Sequence, residues 1–440
     1  MSKDREKSIP RSRFSRFGRV ARMAGGVAAG MIGEGAKQLA KGNRPKVSDL
    51  VLTPNNAKRV AKQLAAMRGA AMKVGQLLSM ESAEFLPPEL ADILAQLRDK
   101  AFTMPRSQLE QALVNAYGDK WLEKFKHFDY IPLAAASIGQ VHRATTIDNK
   151  NIVLKIQYPG IAESIDSDVD NIATLLRVSR LLPAQVEITD LLNDAKEQLH
   201  EEADYELELQ HLASFSKLLE NDSRFIVPAA YPELSCKTIL AMDYVEGASV
   251  EKIDGIRPSE VDQIMSNLFD LMLHELFDLR AMQTDPNFAN YLYQTDTGKI
   301  VLLDFGATRS FTKKFSTDYK RLIRGVLEED EEKLLDAADR IGYVAKKASS
   351  DYQKFLINIF NIALESFKEN SVYDFEDAKL SERLAALTEE AYEFKEFWQT
   401  PPTNVIYLHR KLGGMFLLAT RLGAQVNVHQ MVKKHIKTLN

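Results

Sequence analysis

One stretch restricts this chain more than any other: "QTDPNFANYLYQTDTGKIVLLDFGATR", Gln283 to Arg309. Asp285 stands five residues before Asn290. Two strand-like runs follow, separated by a turn at Asp296–Gly298, and the second ends in Asp304-Phe305-Gly306. A hairpin brings the loop before its first strand beside the loop after its second. Asp285, Asn290 and Asp304 are therefore expected at one end of it. Phosphoryl transfer needs such a group: one carboxylate to orient or deprotonate the acceptor, and an Asn with an Asp to hold magnesium on the phosphates. An isolated Asp-Phe-Gly arises often by chance. The spaced Asp and Asn, a hairpin-length gap and an apolar strand ending in Asp-Phe-Gly form a specific set.

Upstream, "NIVLKIQ" (Asn151 to Gln157) places one Lys inside an apolar strand. Ile152, Leu154 and Ile156 share one face; Val153, Lys155 and Gln157 share the other. A buried Lys155 needs a partner. In a kinase its partners are the phosphates and a Glu of the next helix, and Val153 would cover the adenine. An edge-strand Lys facing water is the plain alternative. Glu202, Asp204 and Glu208 are the candidate acids, in a long acid-rich helical pattern from Asp190 to Leu219. Between strand and acids, Pro159 to Leu182 reads as an inserted helix. "TILAMDYVEG" reads as a last strand and hinge, where the backbone of Met242, Asp243, Tyr244 and Val245 could read the adenine edge. Ahead of Lys155, "PLAAASIGQVHRA" (Pro132 to Ala144) reads as a turn entering a strand, with helical patterns running to about Phe128. A phosphate loop there would carry Ala134, Ala135, Ala136 and Ser137 where glycines normally let backbone approach the ligand.

From Thr53, an N-cap by residue type, Val60, Leu64, Met67, Ala71 and Leu78 recur at helical spacing. Lys73 and Gln76 share a face of that helix. Gly75 between them costs about 1 kcal/mol against Ala, which suggests close approach by another element; spacing alone equally suits a solvated surface. Residues 1–46 carry 12 Lys/Arg against 3 Asp/Glu, a balance of +9, while the remainder carries 45 against 58, a balance of −13. The small-residue segment Arg19 to Gly42 is too short and too charged to span a bilayer. It suits an interfacial element on anionic lipid better than a nucleic-acid tail. The single cysteine, Cys236, excludes a disulfide within the chain. No apolar run is long enough for an ordinary spanning helix.

The segments "KVGQ", "AAASIGQVH", "LKIQYPG", "EADYELE", "QTDPNFANYL", "LLDFGATR" and "YLHRKLGGMFLL" resemble the UbiB family of atypical kinases, which includes the mitochondrial coenzyme Q kinase-like proteins and bacterial relatives. The resemblance runs from about Ile9 to the C-terminus. It implies an α+β, bilobal, protein-kinase-like fold with a helical N-terminal extension packed on the active site. The implied division is a membrane-associating segment at 1–50, the extension at 51–130, an N-lobe at 131–245 and a C-lobe at 246–440. It makes Lys73, Gly75 and Gln76 a motif lying across the active site, Glu202 and Asp204 its acidic counterpart, and Glu208 the partner of Lys155. It makes the alanine segment a nucleotide loop, with ATP or ADP and Mg2+ as ligands. The usual His-Arg-Asp is Gln283-Thr284-Asp285 here and Asn287 replaces the usual Lys, so peptide phosphorylation is not the expected activity. ATP hydrolysis supporting ubiquinone biosynthesis is expected, with a ubiquinone precursor or its biosynthetic enzymes as partners. A small-molecule or lipid kinase and a nucleotide-binding scaffold are the other readings. The similarity starts about eight residues into the chain, so no cleavable mitochondrial presequence is expected; the reading is a bacterial, cytoplasmic protein, peripheral at the inner face of the membrane.

Overall fold

The computed structural model describes residues 69–71, 73–74, 103–178, 189–253, 255–285, 287–343, 348–394, 397 and 401–437. The basic segment 1–46, Gly75 and Gln76 lie outside the described residues. Two compact units result. One holds the described residues up to Ala213 with Ala229–Tyr244; the other holds Ser214–Pro228 and the described residues from Val245 onward.

The first unit is built on an antiparallel sheet of β1 (Phe125–Phe128), β2 (Ala134–Ala135), β3 (Gly139–Thr146), β4 (Asn151–Gln157) and β5 (Ile239–Asp243). Its order is β1-β3-β4-β5, with β2 also pairing β3. β4 is central: Lys155 lies opposite Val141 on one side and Leu240 on the other. This closes the edge-strand alternative for Lys155. Ile152, Leu154 and Ile156 are fully buried, and around this face pack α1 (Arg106–Tyr117), α2 (Ile165–Val178), α3 (Thr189–Glu202) and the start of α4 (Tyr205–Leu218).

Three local expectations are corrected here. The acid-rich segment is two helices, not one. The chain breaks at Ala203–Asp204, and Asp204 Oδ1 accepts from Leu207 N at 3.0 Å, an N-cap that starts α4. The helical pattern expected to reach Phe128 ends earlier: Phe125 and Phe128 are buried beside Trp121 on β1, so strand pairing and ring packing override local propensity. Ala134 and Ala135 do not precede the first strand but form β2, opposite Val141 and Gln140.

In the second unit, α5 (Pro258–His274) is apolar along most of its length and runs into a π-helical turn, Glu275–Leu279. β6 (Ala281–Gln283), β7 (Tyr291–Gln294), β8 (Lys299–Leu302) and β9 (Thr308–Ser310) follow. β7 and β8 form the expected hairpin, Tyr291 opposite Leu302 and Gln294 opposite Lys299. Gly298, at φ 68°, supplies the left-handed turn residue. β6 pairs antiparallel with β9. The rest is mainly helical: α6 (Lys313–Leu327), α7 (Glu331–Ile341), α8 (Ser350–Ala363), shorter pieces, then α9 (Thr403–Leu422) and α10 (Val428–Ile436), with one short antiparallel pair between Tyr373–Asp374 and Gln425–Val426. Phe269, Phe375 and Phe416 meet in its core, with ring centroids 5.2–5.7 Å apart.

Candidate active site

In the first unit, β4 carries Lys155 to where α4 presents Glu208. Lys155 Nζ donates to Glu208 Oε1 at 2.8 Å and Oε2 at 2.9 Å. Both side chains are buried, Glu208 almost completely. A buried ammonium is tolerable only when paired in this way. The two-point contact fixes the ammonium's position, and the ring of Tyr205, 5.1 Å away, backs it. Val153, on the same face of β4, is buried opposite Met242 of β5.

Glu202, the last residue of α3, uses both of its oxygens. Oε1 accepts from Lys73 Nζ at 2.5 Å and Oε2 accepts from Ser137 Oγ at 2.8 Å. Lys73 is 4% exposed, so its helical stretch is docked and not solvated. Of the two acids expected opposite Lys73, Glu202 is the one in contact; the Asp204 carboxylate caps α4. Gly75, expected to mark a close approach, lies outside the described residues; Gly69, in the same stretch, marks one. A Cβ there would sit 3.0 Å from Ile138 Cγ2 and 3.2 Å from Ser137 O. The same sequence signal, a glycine inside a helical pattern, is present at Gly69.

The alanine segment is more regular than a mobile phosphate loop. Ala134 and Ala135 are in β2, and Ala136 N donates to Gly139 O at 2.9 Å, closing a turn. None of the three alanines has a positive φ. Gly139 is the residue that must be glycine, since a Cβ there would lie 2.4 Å from Ile156 O. At the hinge, Asp243 N donates to Ala229 O and Tyr244 N to Asn151 O. The Asp243 carboxylate takes Tyr231 Oη at 2.7 Å and Ala229 N at 3.1 Å. Tyr244 lies under the Arg143 guanidinium, 3.7 Å from its ring centroid. The expectation for the hinge is narrowed accordingly. The Asp243 and Tyr244 N–H groups and the Asp243 side chain serve the fold and are taken out of the set expected to read an adenine edge.

In the second unit, the hairpin does what its sequence pattern required. Leu303 N donates to Asn290 O at 3.0 Å, which ties the Asp285–Asn290 loop to the strand end that carries Asp304. Asn290 Nδ2 donates to Asp285 Oδ2 at 2.9 Å. Asp304 Oδ1 accepts from Gly306 N at 2.9 Å. Phe305 is buried against Phe215, centroids 4.7 Å apart. Carboxylate and amide oxygens are hard donors that suit Mg2+, so Asn290 and Asp304 fit that ion.

Beneath this loop lies a group that the sequence did not single out. Lys411 of α9 donates to Tyr291 Oη at 2.7 Å and Gln283 Oε1 at 3.2 Å, with Glu275 Oε2 at 3.9 Å. Gln283 N donates to Glu275 Oε1 at 3.4 Å. All four residues are buried. Burial pushes the Glu275 carboxyl up to about 7 against the pull of Lys411. Burial alone would lower Lys411, but Tyr291 and Glu275, with a contribution from Asp285, hold it above the usual lysine value. Gln283, seen in sequence only as a departure from His-Arg-Asp, is thus the point where a distant cation grips the loop. The quoted segment "YLHRKLGGMFLL" contains Lys411, but nothing in its spacing shows the partner.

Comparison with known proteins follows the same lines. Residues 96–338 match the ABC1 atypical kinase-like domain. The mitochondrial atypical kinase COQ8 of Saccharomyces cerevisiae is 36% identical over 429 residues, covering 97% of this chain and 85% of that protein. The mitochondrial atypical kinase COQ8B of Rattus norvegicus is 34% identical over 426 residues, covering 96% and 80%. Among solved structures, the Rv3197–erythromycin complex from Mycobacterium tuberculosis matches with a TM-score of 0.60 at 24% identity, over 87% of this chain and 95% of that one, a likeness of fold. The α+β kinase-like fold implied by the motifs is the fold found. No helix among the described residues is long and apolar enough to cross a membrane.

Proposed function

The chain belongs to the ABC1 atypical kinase-like family, and on that premise we propose that it is an ATP-dependent phosphotransferase or ATPase of UbiB type supporting ubiquinone biosynthesis at a membrane surface. The observation that carries the reading is the buried two-point Lys155–Glu208 pair. Any buried lysine needs a partner, but a two-point contact that holds the ammonium in one place is what phosphate binding further requires.

The residues then take these roles. Lys155, oriented by Glu208, binds phosphate oxygens. Ala134 to Ser137, Val153, Met242 and the Asp243–Val245 backbone form the nucleotide's surroundings. Asp285, oriented by Asn290 Nδ2, accepts the proton of the attacking hydroxyl or water. Asn290 and Asp304 hold Mg2+, which when bound neutralises charge on the phosphates. Lys411 and Glu275 keep the Asp285 loop in position. The docked Lys73 helix, fixed to Glu202, works as a regulatory element and favours a small acceptor over a peptide. Attachment through residues 1–46 to anionic lipid, at the inner face of a bacterial membrane, belongs to the same proposal.

Asp304→Asn is expected to abolish the Mg2+-dependent rise in melting temperature on adding ATP or ADP. An unchanged rise removes Asp304 from the metal site. ADP release with and without a phenolic lipid precursor then separates the activities. Release without acceptor marks an ATPase, acceptor-dependent release marks a small-molecule or lipid kinase, and no release marks a scaffold and overturns the proposal.

A further inference from the structure

The second unit gathers charge at one place away from the Asp285 loop, around a cavity of about 310 Å³ bordered by Arg224, Asp270, His274, Asp278 and His435 among others. Its geometry begins with the π turn. α5 ends at His274, and the widened turn Glu275–Leu279 places Asp278 Oδ2 2.9 Å from His274 Nδ1. Turns of this kind are rare and recur at functional sites. From the far end of the chain, α10 brings His435 Nδ1 to 2.6 Å from the same Asp278 oxygen. Two imidazole nitrogens and one carboxylate oxygen therefore lie within 4.8 Å of one another.

The other ring nitrogen of His435 supplies an independent observation. Nε2 lies 2.9 Å from Asp270 Oδ1. Asp270 is itself buried and fixed, accepting from Arg224 Nη1 at 2.6 Å and Lys434 Nζ at 3.1 Å. A carboxylate behind an imidazole fixes the tautomer and turns the opposite nitrogen's lone pair outward, the arrangement that supports metal-bound histidines. Asp278 Oδ2 faces two ring nitrogens and can accept only hydrogens or a cation from that side. One divalent ion satisfies all three groups at once.

We infer that His274 Nδ1, Asp278 Oδ2 and His435 Nδ1 form a divalent transition-metal site, with Asp270 as the orienting carboxylate. Two nitrogens and one oxygen are the donor set of Zn2+, which takes a fourth ligand; the cavity gives room for a water there. His274 is about one-third exposed, which gives the ion a route in. Bound metal would fasten α10 to the π turn. That turn also carries Glu275 of the Lys411 cluster, three residues before Asp278.

The test uses the full chain, stripped with chelator and titrated with zinc chloride. One equivalent is expected to bind with a rise in melting temperature, and Co2+ in its place is expected to give the visible d–d absorption of a low-coordinate nitrogen–oxygen site. His274→Gln, at the half-open rim and so least disruptive to folding, should abolish both. Asp270→Asn should weaken zinc by roughly 10- to 100-fold. Asp304→Asn should leave zinc binding intact. The inference is overturned if His274→Gln binds zinc as the parent does, if zinc binding is lost in Asp304→Asn, or if the folded parent takes up no stoichiometric metal, in which case protons alone bridge the histidines and Asp278.

Discussion

Glu275 is a carboxyl whose burial raises its ionisation to about 7, and this has a consequence for stability. A carboxyl raised in the folded state favours folding fully below its unfolded value, near 4.5, and that contribution is lost as pH rises through about 7. The parent should therefore lose melting temperature between pH 5 and pH 8. Glu275→Gln cannot ionise and should show a shallower decline, with the difference on the order of several degrees if it amounts to ~2 kcal/mol in a unit of this size. Differential scanning at both pH values reads it, and parallel declines would show that Glu275 stays charged beside Lys411. None of this was visible in the sequence. Lys411 and Gln283 are 128 residues apart, and a lysine in the middle of an amphipathic helix looks the same whether it meets water or a carboxylate. Lys155 was legible because its neighbours on the strand are apolar and a downstream set of acids gave it a purpose.

Elements were legible where the pattern was strong and self-sufficient. The β7–β8 hairpin carried its own turn residue and alternation, and it lies where the sequence put it. β1 did not, because a four-residue strand is specified by its partner and by Trp121, not by its own period. The division of the acid-rich segment into α3 and α4 is not legible in the sequence, because Asp204 reads as one acid among many until its N-cap bond is seen. The alanine segment yields a prediction of its own. A glycine at Ala134, Ala135 or Ala136 costs roughly 0.5–1 kcal/mol in regular backbone. Closer approach of an N–H to a phosphate is worth about 1.5–3 kcal/mol. The second quantity is larger by about 0.5–2.5 kcal/mol, so Ala135→Gly should tighten ATP by roughly 2- to 70-fold in titration calorimetry. Ala134 and Ala136 need the same measurement. Three folded variants with unchanged affinity would remove this segment from the phosphates.

For the molecule as a whole, the division of charge, +9 before residue 47 and −13 after it, is the clearest global feature. A basic, small-residue segment gives both the electrostatic and the apolar signal that reversible attachment to a membrane usually needs. The full chain should float with anionic liposomes, less so as salt rises, while a chain starting at Leu50 should not. Equal flotation of both would move the lipid site elsewhere. On the proposed reading, Glu202 connects this attachment to nucleotide chemistry. One of its oxygens holds Lys73, which follows the basic segment in the chain, and the other holds Ser137 of the alanine segment. Two ligands acting on one shared carboxylate obey reciprocity. If nucleotide draws Ser137 away and weakens the grip on Lys73, then whatever lifts the Lys73 helix must alter nucleotide affinity by the same factor. Should the lipid surface be what lifts it, ATP affinity and membrane affinity become two readings of a single coupling free energy, and measuring either ratio fixes the other.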